Sequence, residues 1–330
     1  MRRTIAVAVL AVAAAAAAVP VHAGTAAPGS AAASGAKSAT VSQLRVGTLT
    51  ESTFDRTRPT LRRVKGKLKK YPGRSIRIDV WYPAAGKDDG KDHPDATPAT
   101  TGPFPVIVFA PGYRVTPFTY QRTLHVWAQA GYVVVGVEFP GSGADGPPGQ
   151  PTEDDLTQQP RDMSLALDRV TQDANSAGSW ASGLLDLQHV AAAGHSDGAS
   201  TVVRMVLSTA YRDDRIDTAV ILAGGRLGGR YDRTDDVPVL LMNGDHDEYN
   251  EPSVFRDTWS LAHGRKAWVL AVGGHHLPPF AAPGLQESVI RQIEVAWLDH
   301  YLKGADTADA FYRLARRPGL TKLLGGGLPH

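Results

Sequence analysis

The chain contains no cysteine. That excludes disulfide bracing, a thiol nucleophile, thiolate metal ligands and lipid attachment through a cysteine. Without cross-links the fold must be held by its core, and 330 residues are enough to bury a substantial one. A surplus of charge is also missing, with 35 Lys and Arg against 33 Asp and Glu. Nothing in that balance calls for a nucleic-acid partner. After residue 23 no run is apolar enough to cross a bilayer, so no integral membrane association is expected.

The first 23 residues have the make-up of an export signal. Arg2 and Arg3 give a positive start, and Thr4 to Val19 are rich in alanine and valine. Val21-His22-Ala23 offers small residues at the two positions a signal peptidase inspects. The apolar run is about 16 residues, short of the ~20 that a membrane-spanning helix needs. Cleavage would leave 307 residues with 33 charges of each sign. The expectation is a secreted, extracellular protein. Residues 24–40, almost all Ala, Gly, Ser, Thr and Pro, should form a flexible leader. One domain is expected over 41–303, and residues 304–330, with Gly325-Gly326-Gly327, read as a loosely attached tail.

From Arg56 to Arg74 nine of nineteen residues are basic, and Pro72-Gly73 closes the run in a turn. Attraction to an acidic surface is one reading of this segment. A solvated hairpin loop is the plainer one and is preferred. Ile76, Ile78, Val80 and Tyr82 then alternate with Arg77, Asp79 and Trp81, the period of a strand with one buried face. Further on the pattern changes to a continuous apolar run at Val106 to Phe109, followed by short strands at Tyr132 to Val137, His189 to Ala193, Ala219 to Leu222, Val237 to Met242 and Ala267 to Val272. Between them lie helical patterns at Tyr120 to Ala130, from Pro160, at Ala199 to Ala210 and from Pro252 to His263. A last one carries Val289, Ile293, Ala296 and Trp297. Strands alternating with helices predict an α/β fold with a mainly parallel sheet covered by helices on both faces. Only 14 residues separate Leu222 from Val237, which leaves no room for a large lid domain there.

The strongest local signal is Gly194-His195-Ser196-Asp197-Gly198, between a buried strand and a helix. The pentapeptide alone is common; in this context it predicts a nucleophile elbow. The turn is too sharp for side chains at its flanks, hence the glycines. It would hold Ser196 at a helix N-terminus, where unsatisfied N–H groups favour negative charge. A serine hydroxyl needs a base, and the base needs a carboxylate to orient it. The carboxylate should come from Asp245-His246-Asp247-Glu248, directly after a strand. Asp247, on the loop proper, reaches further than Asp245, which serves the turn. The base should follow the last strand, where His275 and His276 stand side by side; spacing alone does not choose between them. Donors for a developing oxyanion are expected from the backbone N–H of Asp197 and from the loop after Phe109, with Tyr113 N–H the choice there.

With these pieces assembled, the stretch from about residue 45 to 303 resembles the α/β-hydrolase superfamily. It is most similar to bacterial secreted esterases of the platelet-activating-factor acetylhydrolase, dienelactone hydrolase and polyester hydrolase group. The resemblance rests on Val80-Trp81-Tyr82-Pro83, Phe109-Ala110-Pro111-Gly112-Tyr113, Gln159-Pro160-Arg161-Asp162, the elbow, and Gly273-Gly274-His275-His276-Leu277. It implies Ser196 as nucleophile, Asp247 as acid and His276 as base. Two departures limit the transfer. Asp197 replaces the apolar residue of many polyester hydrolases, and the paired cysteines of several of them are absent.

The expected function is a secreted serine hydrolase of carboxylic esters, working through an acyl-enzyme and needing no metal or organic cofactor. Without a large lid, the site would suit small-molecule, lipidic or polymeric esters. The competing expectations are an acyltransferase or peptidase using the same residues, and a non-catalytic binding protein on a hydrolase scaffold.

Overall fold

The computed structural model describes residues 44–232 and 237–329. The expected signal (1–23) and leader (24–40) lie outside these described residues. The described part begins with strands β1 (Leu44–Asp55), β2 (Thr60–Val64), β3 (Lys67–Tyr71), β4 (Arg74–Lys87) and β5 (Asp92–Pro94). It then alternates: β6 (Phe104–Ala110), α1 (Gln121–Gln129), β7 (Val133–Glu138), α2 (Gln159–Ala174), β8 (Leu185–His195), α3 (Asp197–Leu207) and β9 (Ile216–Leu222). After β10 (Val239–Gly244), α4 (Pro252–Leu261) and β11 (Lys266–Ala271) come α5 (Pro278–Ala281), α6 (Leu285–Lys303), α7 (Ala308–Ala315) and β12 (Thr321–Gly326).

Ten strands form one sheet in the order β12-β11-β10-β9-β8-β6-β7-β4-β1-β5. The six strands from β11 to β7 run parallel, and antiparallel β4 and β12 flank them. The runs without polar breaks are the central strands, because both of their faces are covered. Every residue of β6 and of β7 is buried. Successive side chains of β6 serve opposite cores. Ile107 and Phe109 pack with Leu124 and Trp127 of α1 and Val289, Ile293 and Trp297 of α6. Val106 and Val108 pack with Met163 and Leu167 of α2, Val202 and Val206 of α3 and Phe255 of α4. All six parallel strands end at one rim, so the loops after β6, β8, β10 and β11 meet there.

Two expectations are corrected. Residues 304–330 are not a loose tail: α7 buries Phe311, and β12 pairs antiparallel with β11 as an edge strand. The glycines that read as slackness allow close approach. A Cβ at Gly326, whose φ is +63°, would stand 1.7 Å from the carbonyl oxygen of Lys266. Leu328 beyond them is 2% exposed.

The basic segment is a hairpin, but only part of it is a solvated one. Lys65, Lys67, Lys69 and Lys70 face solvent. Arg74 is fully buried and donates to Asp155 (2.7 and 2.8 Å) and to Asp162 (2.9 Å from Nε). Arg62 is buried too and donates to the carbonyls of Gly143 (3.0 Å) and Pro147 (3.1 Å). The inward arginines therefore fasten β2 and β4 to the segment that follows β7. Planar guanidinium groups with several donors suit such crossings better than lysines do.

Candidate active site

Ser196 sits between β8 and α3 with φ +57° and ψ −121°, a conformation that costs energy in any residue with a side chain. Its surroundings enforce the turn. A Cβ on Gly194 would lie 2.5 Å from the backbone of Gly198, and one on Gly198 would lie 2.1 Å from Ala110 O. The sharp turn lifts the Ser196 hydroxyl to the rim of the sheet. Gly112, in the loop after β6, presses close beside it: a Cβ there would meet Ser196 Cβ at 3.3 Å.

The loops after β10 and β11 are laced together at the same rim. His246 N donates to Gly274 O at 2.9 Å, and Asp245 N to Ala271 O at 3.3 Å. Asp245 itself points to solvent and closes the turn. Asp247 turns inward, and its Oδ1 accepts the N–H groups of Tyr249 and Asn250, each at 2.9 Å. His276 Nδ1 lies 2.9 Å from Asp247 Oδ2 and 3.0 Å from Oδ1. Its Nε2 lies 2.9 Å from Ser196 Oγ. Burial opposes the charge on Asp247, yet the hydrogen bonds from His276, Asn250 and Tyr249 outweigh it and hold the carboxyl below its usual range. An ionised Asp247 can only accept, so His276 Nδ1 carries the hydrogen and Nε2 is left bare toward the serine. His275 turns outward, exposed, with Nδ1 3.3 Å from Glu248.

The two N–H groups expected to stabilise an oxyanion have no acceptor among the described residues: neither Tyr113 N nor Asp197 N takes part in a hydrogen bond. The Tyr113 side chain is half-buried and its hydroxyl donates to Pro151 O at 2.7 Å, which ties the loop after β6 to the segment before α2. The Asp197 carboxyl is half-buried, with Oδ2 out of contact with solvent and unpartnered. Burial first, and the charge of Glu153 second, push it up to about 7.

Three contacts at the site were not foreseen from the sequence. Tyr249 lays its ring 4.9 Å from that of His276. Glu248 accepts the backbone N–H of His276 at 3.1 Å. His195, inside the elbow motif, packs 4.8 Å from His276, ring to ring. Only the last could have been singled out, as a ring next to the serine in a motif whose flanks must be glycine. Among the described residues no three His, Cys, Asp or Glu side chains are grouped as metal ligands would be, and no helix is long and apolar enough to cross a membrane.

No family model matches the sequence, and no curated protein matches it. Solved structures are similar in fold. A ferulic acid esterase from Streptomyces cinnamoneus matches with a TM-score of 0.64 at 19% sequence identity, over 88% of this chain and 98% of that one. The chain has the α/β-hydrolase fold, with a mainly parallel sheet and helices on both faces, and no large lid domain among the described residues.

Proposed function

We propose that this chain is a secreted serine hydrolase of carboxylic esters, with Ser196 as nucleophile, His276 as base and Asp247 as the acid that orients it. One observation carries the reading: the unbroken line from Ser196 Oγ to His276 Nε2 (2.9 Å) and from His276 Nδ1 to Asp247 Oδ2 (2.9 Å) at the sheet's rim. The ester chemistry named for the structurally similar Streptomyces cinnamoneus protein supports the same reaction class. Export is supported by the signal-like make-up of residues 1–23.

In this reading Ser196 Oγ attacks the ester carbonyl carbon while its proton passes to His276 Nε2. The carbonyl oxygen becomes an oxyanion held by the N–H groups of Tyr113 and Asp197, each worth about 3–4 kcal/mol of barrier. The C–O bond to the alcohol breaks as the imidazolium returns its proton to the leaving oxygen. Water, deprotonated by His276, then attacks the acyl-enzyme; the acid leaves and Ser196 regains its hydrogen. Residues 223–238, between β9 and β10, are too few for a large lid, and an open site suits lipidic or polymeric esters as well as small ones.

A fluorophosphonate probe with p-nitrophenyl esters of graded chain length tests the proposal. The intact chain should be labelled and turn esters over, and Ser196→Ala should do neither. Well-folded chain that resists labelling would instead be a binding protein on this scaffold. Products formed from ester, amide and added alcohol separate hydrolysis from peptide cleavage and acyl transfer.

A further inference from the structure

His195 takes no part in the steps above, yet it is a buried ionisable group next to the serine, at 2% exposure. Both of its ring nitrogens are committed. Nε2 lies 2.9 Å from the carbonyl oxygen of His276, which can only accept, so Nε2 carries the hydrogen. Nδ1 is therefore bare, and Tyr120 Oη, 2.8 Å away, donates to it. The same Tyr120 oxygen accepts the N–H of Gly112 at 3.3 Å. One buried chain of hydrogen bonds thus runs from Gly112 N–H through Tyr120 and His195 to the backbone of His276. It joins the loop after β6, the elbow and the loop after β11.

We propose that His195 and Tyr120 are positioning residues that hold the oxyanion loop and the loop of the base in register with Ser196. The proposal rests on the serine-hydrolase reading. Its physical ground is that the relay meets backbone at both ends. One end is the amide next to Tyr113, and the other is the carbonyl of the residue whose ring must reach Ser196 Oγ. Phe280 packs against the His195 ring, centre to centre at 5.5 Å. The relay requires a neutral imidazole, since a proton on Nδ1 would break the bond from Tyr120. The groups whose charge is felt at His195 are His276 and Asp247. Burial, with a lesser push from His276, holds His195 down to about 3, so it stays neutral while His276 gains and loses its proton. A second cation here would also repel the imidazolium formed during acyl transfer.

The experiment compares His195→Phe, His195→Gln and Tyr120→Phe with the unaltered chain. It measures kcat and KM on p-nitrophenyl acetate, melting temperature, and the fraction labelled by fluorophosphonate. Phenylalanine at 195 keeps the ring's bulk and loses both bonds; glutamine keeps a donor for His276 O. His195→Phe should lower kcat about 10- to 100-fold with KM within about twofold, the signature of displaced reacting groups. His195→Gln should recover most of that loss, and Tyr120→Phe should lower kcat several-fold. A packing role alone would lower melting temperature and labelled fraction together and leave kcat per labelled site unchanged. That result, or wild-type kcat in Tyr120→Phe and His195→Gln alike, overturns the relay. Should His195→Phe not fold, these two milder variants decide. Failure of the underlying reading looks different: the unaltered chain would then resist labelling and turn over no ester, and the relay would fall with it.

Discussion

Asp247 and His276 stand 29 residues apart in the chain, yet both carboxylate oxygens of the first lie within 3.0 Å of Nδ1 of the second. Backbone hydrogen bonds at Gly274 and Ala271, and the His276 N–H donated to Glu248, lace the two loops beside this pairing. The pairing fixes the imidazole's tautomer, so the acid's work in the proposed mechanism is tautomer and orientation rather than proton uptake.

The first prediction tests that pairing. Asp247→Asn keeps the shape but presents an amide to His276 Nδ1, which favours the wrong tautomer. Ester kcat should fall about 10⁴-fold with little change in KM. His276→Ala should be comparably inactive, whereas His275→Ala should stay near wild type because its ring faces solvent. Steady-state kinetics on a p-nitrophenyl ester would show it; an inactive His275→Ala beside an active His276→Ala would reverse the assignment.

Asp197 supplies a pH dependence. Its carboxyl is raised to about 7 by burial and by Glu153, so it is protonated below that pH and charged above it. Charge there would lie next to the proposed oxyanion site, and kcat/KM should fall as pH rises past about 7. Asp197→Asn should hold its activity to higher pH. The sign for stability agrees. A carboxyl whose pKa is raised on folding holds its proton between 3.8 and about 7 only in the folded state, so stability declines as pH rises through that window. Matching pH–rate profiles for the two proteins would refute this.

Glu294 of α6 offers a stability test away from the site. It is 1% exposed, and burial outweighs the opposing pull of Arg291 and of the Trp127 side chain to push it up to about 8. Folding stability should therefore decline from pH 4.5 to about 8, by an amount on the order of 5 kcal/mol from this residue. Glu294→Gln should flatten that slope in urea melts taken across the range. An unchanged slope would mean that the folded chain solvates this carboxylate.

Arg74 ties the hairpin to the sheet through Asp155 and Asp162, with all three side chains fully buried. Replacing one partner leaves buried charge uncompensated. Arg74→Met should cost about 3–5 kcal/mol by urea unfolding. Lys67→Ala, on the exposed strand of the same hairpin, should change stability by less than about 0.5 kcal/mol. Equal losses at the two positions would contradict the division of this basic segment into anchors and surface.

The parallel strands could be located in the sequence because strands buried on both faces leave uninterrupted apolar runs, as Val106 to Phe109 and Tyr132 to Val137 do. The elbow was legible because its glycines answer a local steric demand: no other residue fits at 194 or 198. β1 left no such trace, since Leu44–Asp55 lies toward the sheet's margin and mixes exposed with buried residues. Nor did β12, whose glycines suit a tail as well as a close-packed edge. Composition sees flexibility; only the neighbouring Lys266 carbonyl and Tyr312 hydroxyl turn it into a steric requirement.

What the sequence by itself determined is the set of local facts: which segments are apolar on one face or two, where the chain must turn sharply, and which polar residues stand at strand ends. Those follow from each residue's own size, charge and backbone freedom. Which of two adjacent histidines faces Ser196, which arginines of a basic run turn inward, and where both nitrogens of His195 are spent were settled only in three dimensions. The partners concerned lie roughly 80 residues away in the chain, and hydrogen bonding and burial depend on distance through space.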